Sequence, residues 1–309
     1  MIDKQPLLSI CIPTYNRAQY LDNTINSIVT DSLFSSGEVE LVVSDNCSTD
    51  DTKTVVEKYQ NRYNNIIYNR NEENIVDANF VKVLSLGRGI FLKLYNDTAL
   101  FYEGTLSFLL QTVKKNLDKK PVLFFPNGDL PHTRIIEKQC ASFAEFVDTA
   151  SFYSTWIGTF GIWKEDFDQL TDLYKSVDLL LWQTDIVFRL TSHKKTIIYN
   201  KRLVNIQELQ KKGGYNLFRV FADNYLSLYQ KYIDNKYISK HNFNKEKKRL
   251  FRYFFIPWMK TLSIEKNDIY DFETNKGIKT LYKHYKTFLI FYLGLGYLTA
   301  YKCLYKLKK

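Results

Sequence analysis

Four short stretches of nearly unbroken apolar sequence recur through the first 125 residues: LLSICI at 7–12, EVELVVS at 38–44, FLKLY at 91–95 and VLFF at 122–125. A strand open to water on one face alternates apolar with polar residues, whereas a strand covered on both faces shows a continuous apolar run. A weaker run, IIYN, lies within 64–71. Between the runs, apolar residues return at helical spacing: Leu21, Ile25, Ile28 and Val29; then Phe80, Val81, Leu84 and Leu86; then Leu106, Leu109, Leu110 and Val113. Strand and helix in alternation predict an α/β fold with a mostly parallel, doubly wound sheet flanked by helices. Such a sheet receives ligands beyond the carboxyl ends of its strands. Three polar loops, at 14–17, 45–51 and 96–98, are expected to meet on that edge.

Beyond Pro126 the pattern loosens. WIGTFGIW at 156–163 reads as a strand, and a helix is expected from Asp185. Aromatic, Lys-rich helical stretches dominate the end of the chain, which suggests a domain at 1–205 and a helical C-terminal extension at 206–309. Charge divides there too. Residues 201–309 hold 23 Lys+Arg against 8 Asp+Glu, of 43 and 33 in the whole chain, so the basic character belongs to this last third. Its run FLIFYLGLGYLTA, at 288–300, is preceded by Lys283 and Lys286 and followed by Lys302, Lys306, Lys308 and Lys309. The run is too short to span a bilayer. It suits a helix lying on an anionic membrane surface; a core helix of a C-terminal bundle, or a contact in a homo-oligomer, is the alternative. Nucleic acid is not expected as a partner, because these Lys residues accompany bulky aliphatics.

Cys11, Cys47, Cys140 and Cys303 are too scattered for a zinc site or a disulfide framework and fit a reducing cytoplasm. The opening MIDKQPLLSICIP does not read as a secretory signal. His132, His193, His241 and His284 are isolated and read as structural or exposed. Neither GxGxxG nor GxxxxGK[ST] occurs, so nothing supports a dehydrogenase or a P-loop enzyme.

LSICIPTYNR, then VVSDNCSTDDT, then a strand ending in NDTAL, together resemble the nucleotide-sugar half of glycosyltransferase family 2, the inverting enzymes of GT-A fold. The resemblance covers roughly 7–110, and it looks closest to transferases of bacterial surface polysaccharides, including an abequosyltransferase-like group. It implies a nucleotide-sugar donor, a lipid-linked saccharide acceptor, and a cytoplasmic protein held peripherally at the inner face of the membrane. Domain 1–205 would then be the nucleotide-sugar-binding and catalytic domain.

By position, the resemblance implies that Thr14 and Tyr15 lie against the nucleobase and that Asp45 accepts a hydrogen bond from a ring N–H, as uracil or thymine offers. A surface aromatic and a helix N-cap are the plainer readings of Tyr15 and Asp45. Asn79, with Asn74, matches a polar stretch lining the nucleotide pocket; a helix-surface Asn is the other reading. The family's fourth strand ends in two carboxylates that hold ribose and a divalent ion. Here the triplet is Asn96-Asp97-Thr98, so Asp97 is the expected ligand of Mg²⁺ or Mn²⁺ in a weakened site, and Asn96 is left to the ribose. Asp185, in LLLWQTDIVFRL, matches the family's general base; it could instead cap its helix, and Asp166, Asp168 and Asp178 are rivals. Trp182 is the expected platform for an acceptor sugar, or else a core residue.

Overall fold

The structure, a computed structural model, describes residues 5–131, 136–267 and 269–307, so that His132, Lys308 and Lys309 lie outside the described residues. The chain divides into two compact units. One comprises Met1–Ser142, Tyr153–Asp178 and Trp182–Glu208; the other comprises Phe143–Phe152, Leu179–Leu181 and Leu209–Lys309.

In chain order the elements are β1 (Leu8–Thr14), α1 (Ala18–Val29), β2 (Val39–Asp45), α2 (Thr52–Gln60), β3 (Ile66–Arg70), α3 (Ala78–Leu86) and β4 (Phe91–Leu94). There follow β5 (Ala99–Phe101), α4 (Thr105–Lys115), β6 (Val122–Phe124), β7 (Glu137–Cys140), α5 (Phe143–Ala150), β8 (Gly161–Trp163), α6 (Lys164–Gln169), α7 (Trp182–Thr191), β9 (Thr196–Tyr199) and β10 (Val204–Ile206). The main sheet runs β3-β2-β1-β4-β8, parallel except for β8. As the continuous runs require, β2 is buried along its whole length and β1 everywhere but Pro13. Leu21, Ile25 and Ile28 of α1 and Leu106, Leu109 and Val113 of α4 join the same core. Each buried aliphatic side chain of this size contributes about 1.5–3 kcal/mol over its exposed state. The expected α/β class is therefore observed.

Two expectations are corrected. The run at 122–125 does not extend the main sheet; as β6 it pairs with β9 in a separate sheet ordered β6-β9-β7. The place beside β4 is taken by β8, antiparallel, and only the last three residues of the 156–163 run form that strand. Lys93 supplies the reason. It is fully buried on β4, and its ammonium donates to the carbonyls of Gly158 at 2.7 Å, Phe160 at 3.0 Å and Leu94 at 3.0 Å. A buried amine must find such acceptors, and these hold 158–160 against β4. Gly161 then fits over the Phe91 ring, where a Cβ would lie 2.6 Å from a ring carbon.

In the second unit, the helices Lys240–Leu250, Gly277–Tyr285 and Leu289–Leu307 surround an aromatic core that includes Phe251, Tyr285 and Phe291. A parallel pair, β11 (Lys212–Asn216) with β12 (Tyr270–Glu273), leaves no mark in the hydropathy pattern, because KGGYN carries no apolar run. Gly213 permits it: a Cβ there would meet the Asp271 carbonyl oxygen at 2.1 Å. The helix Leu289–Leu307 buries Phe291 and Leu298 and lays Gly294 against Phe251, yet leaves Leu289, Leu293 and Leu304 at least 60% exposed. The stretch expected on a membrane is thus a packed helix with an apolar outer face. No helix among the described residues is long and apolar enough to cross a membrane.

Candidate functional site

Because β1, β2 and β4 run parallel, their carboxyl ends share one edge of the first unit, with Thr14 in register with Asp45. Two loops clasp each other there. The Asn46 amide donates to the Thr14 carbonyl at 2.9 Å, the Asn16 amide to Ser48 Oγ at 2.9 Å, and the Thr49 amide to Asn16 Oδ1 at 2.7 Å. Asn16 and Cys47 adopt positive φ of 51° and 66°, a conformation that Asn tolerates better than most residues. Tyr15 projects from this clasp with 44% of its surface exposed.

Asp97 is the buried hub. Its Oδ2 accepts from the Thr14 hydroxyl at 2.9 Å, its Oδ1 pairs with Arg17 Nη1 at 2.9 Å, and its carbonyl accepts from the Thr24 hydroxyl at 2.8 Å. Burial raises the Asp97 pKa above the ordinary carboxylate value, with the Arg17 guanidinium and the Thr14 hydroxyl opposing that rise. Thr14, Arg17 and Asp97 therefore form one cluster, and Asn96 lies half-buried next to it in the chain. Sequence reading missed Arg17, since its partner stands 80 positions away.

The other expected donor-site residues are turned inward. Asp45 is fully buried; Oδ1 accepts from the Ser48 amide at 2.8 Å and Oδ2 from the Tyr68 hydroxyl at 2.7 Å. A ring N–H reaches this carboxylate only after Tyr68 or the 45–48 loop moves. Asn79 is buried as well. It donates to the Ser44 carbonyl at 2.8 Å and accepts from the Ser44 hydroxyl at 2.6 Å and Asn71 Nδ2 at 3.0 Å. Asn74 accepts from Asn46 Nδ2 at 2.7 Å. These side chains tie the 71–79 segment to the end of β2 rather than lining an open pocket. Arg70, also missed, is exposed and donates to the Ser48 carbonyl at 2.8 Å.

Asp185 lies in the first turn of α7, buried, with Oδ2 accepting from the Ser176 hydroxyl at 2.6 Å and pairing with Arg189, which also donates to the Thr171 carbonyl at 3.0 Å. Among its rivals, Asp166 is paired with Lys194 and Asp168 with Lys164. Trp182 requires correction as an acceptor platform. It is fully buried, packs on Phe160 with ring centroids 5.5 Å apart and donates its indole N–H to the Leu173 carbonyl, so no ring face is open for stacking.

Whether the residues present fit a divalent cation is decided at Asp97. Both its oxygens are engaged, one of them by a guanidinium, the neighbouring position is an amide, and no group of three His, Cys, Asp or Glu converges among the described residues. A metal bound to Asp97 would face the positive charge of Arg17. The donor set does not fit the expected Mg²⁺ or Mn²⁺. Cavity size is no guide to the site: a cavity of about 850 Å³, lined among others by Gln5, Gly37, Glu40 and Arg88, lies at the amino ends of the strands, the opposite edge.

Comparison with known proteins gives partial matches in sequence and a broader match in fold. Residues 9–118 match the family model described as Glycosyl transferase family 2. Over 105 residues the chain is 38% identical to the abequosyltransferase RfbV of Salmonella typhimurium, covering 33% of this chain and 31% of that protein. Over 108 residues it is 34% identical to the GalNAc(5)-diNAcBac-PP-undecaprenol beta-1,3-glucosyltransferase of Campylobacter jejuni, covering 34% of each. The matches thus span about a third of these relatives' own lengths. In fold, the chain is similar to a crystal structure of S. aureus TarS 1-349 in complex with UDP-GlcNAc, with TM-score 0.64 and 18% identity over 90% of this chain and 80% of that one. The architecture is that of GT-A glycosyltransferases.

Proposed function

We propose that the protein is an inverting glycosyltransferase that moves a sugar from a UDP- or dTDP-sugar onto a hydroxyl of a lipid-linked saccharide during bacterial surface polysaccharide synthesis. The observation that carries this reading is the Thr14–Arg17–Asp97 cluster at the carboxyl edge of the sheet, inside the segment that matches family 2. The exposed ring of Tyr15 is suited to stacking on a base, worth about 1–3 kcal/mol. UDP-GlcNAc in the similar structure, and the lipid-linked acceptor in the name of the Campylobacter relative, support the donor and acceptor classes.

In the transfer, the acceptor oxygen bonds to the anomeric carbon as the bond from that carbon to the diphosphate oxygen breaks, with inversion. The acceptor proton passes to Asp185, the general base, whose carboxylate is oriented by Ser176 and Arg189. The diphosphate leaves with its charge balanced by cationic groups at the Asp97 edge. The protein works in the cytoplasm, attached peripherally to the anionic inner face of the membrane. Support for that attachment is the outer face of Leu289–Leu307, whose Leu289 and Leu293 border a shallow groove of about 610 Å³ flanked by Lys248 and Arg252.

The test is a panel of UDP- and dTDP-sugars with lipid-linked acceptors, read as acceptor-dependent release of nucleoside diphosphate. A second reading, a catalytically inactive sugar-nucleotide-binding scaffold, is favoured by Asn96 standing where a carboxylate is expected. Nucleotide binding without turnover on any donor would select it.

A further inference from the structure

We propose that Arg17, seconded by Arg70, is the cation that receives the donor diphosphate, in place of a divalent metal. The inference rests on the sugar-nucleotide reading of the site and starts from the disagreement at Asp97. A carboxylate meant for a metal would present its oxygens outward; here Oδ2 is closed by Thr14 and Oδ1 grips Arg17 Nη1. Asp97 is itself only 3% exposed, while the Arg17 side chain keeps 41% of its surface. The carboxylate therefore acts as the buried anchor and the guanidinium as the presented group.

The guanidinium suits that work. It carries five N–H donors in a planar fork, matched to the spacing of phosphate oxygens, and the bond to Asp97 uses one of them. Its neighbour Asn16 bonds to Ser48 Oγ at 2.9 Å, and Arg70 grips the carbonyl of the same Ser48 at 2.8 Å. One guanidinium, that of Arg70, is thus held on the 45–48 loop, and the other, that of Arg17, on Asp97 beyond β4. Together they supply the formal charge of one divalent ion, spread over two planar hydrogen-bonding groups.

The inference is tested by calorimetric titration of the full chain with UDP, once in EDTA and once with Mn²⁺. Wild type is expected to bind UDP in EDTA within about threefold of its affinity in Mn²⁺. Arg17→Ala should weaken binding about tenfold or more in both buffers, consistent with loss of a charge-assisted phosphate contact. Tightening of wild-type binding by Mn²⁺ of about tenfold or more, or an unchanged affinity in Arg17→Ala, would overturn the inference. Where Arg17→Ala fails to fold, Arg17→Lys keeps the charge and loses the fork; a weakening of about threefold or more supports the proposal, and an unchanged affinity overturns it. Absence of UDP binding by wild type in either buffer would instead overturn the donor-site reading itself, and this inference with it.

Discussion

The Tyr68 hydroxyl, on β3, donates to Asp45 Oδ2 at 2.7 Å across the end of the neighbouring strand. Burial and the Asp45 carboxylate raise the pKa of the phenol well above its ordinary value, so it stays a donor throughout the physiological range. Removing it leaves a buried carboxylate oxygen short of a partner. Tyr68→Phe is expected to lower stability by about 1–2 kcal/mol, a few degrees in Tm. A melting curve superimposable on wild type would show that Asp45 does not depend on this bond.

Asp185→Asn keeps the size and most of the hydrogen bonding of the side chain while removing its ability to take a proton. Turnover is expected to fall by about 10²–10⁴, with UDP affinity nearly unchanged. Full activity in this variant would remove Asp185 from the proposed reaction.

Glu246, in the second unit, gives a pH dependence with a defined sign. It is buried, accepts from the Ser151 hydroxyl at 2.9 Å and the Tyr225 hydroxyl at 3.0 Å, and lies 3.4 Å from Arg249; burial, opposed by Arg249 and these hydroxyls and aided by Asp148, raises its pKa to about 7. The folded chain thus holds this proton more tightly than the unfolded chain. The stabilisation is complete below the ordinary Glu pKa of about 4.3 and is lost as pH rises through about 7, by up to roughly 3 kcal/mol. Urea unfolding of wild type and Glu246→Gln at several pH values isolates this contribution. The stability of wild type relative to the variant should fall between pH of about 5 and 7 and level off above; a constant difference would refute it.

Lys93→Met removes the donors that hold Gly158 and Phe160. A loss of about 1–3 kcal/mol is expected, mainly from the Gly158 carbonyl, because the Phe160 carbonyl keeps the Leu94 amide at 3.2 Å. Limited proteolysis should then cut within 156–161 faster than in wild type. Equal stability and equal cleavage would mean that 158–160 is held by other contacts.

Leu293→Glu places a charge on the exposed face of Leu289–Leu307, where the side chain is 63% exposed, so the fold is spared. Sedimentation with vesicles rich in anionic lipid should carry down wild type and leave the variant in solution. Co-sedimentation unaffected by this change would exclude this face as the membrane contact.

How much of this was legible follows from the range of each signal. The strands at 7–12, 38–44 and 91–95 were readable because burial on both faces leaves an unbroken run in the local sequence. The run at 122–125 was equally apolar, but an apolar run does not say which sheet receives it; Lys93 made that choice through carbonyls more than 60 positions away. The site was readable in outline, since loops at strand ends must share an edge. Its wiring was not: Arg17 with Asp97, and Tyr68 with Asp45, are pairs that only the folded chain creates. Trp182 shows the opposite limit, an aromatic whose burial no spacing announces.

Lys93 and Asp97 stand four positions apart at the end of one strand, the first tethering 158–160 and the second orienting Arg17. A slip of β4 by a single residue would send the ammonium to the opposite face of the sheet and carry the carboxylate out of reach of its guanidinium. Substitutions in this strand are therefore constrained twice over, once by the tether on 158–160 and once by the Arg17 contact.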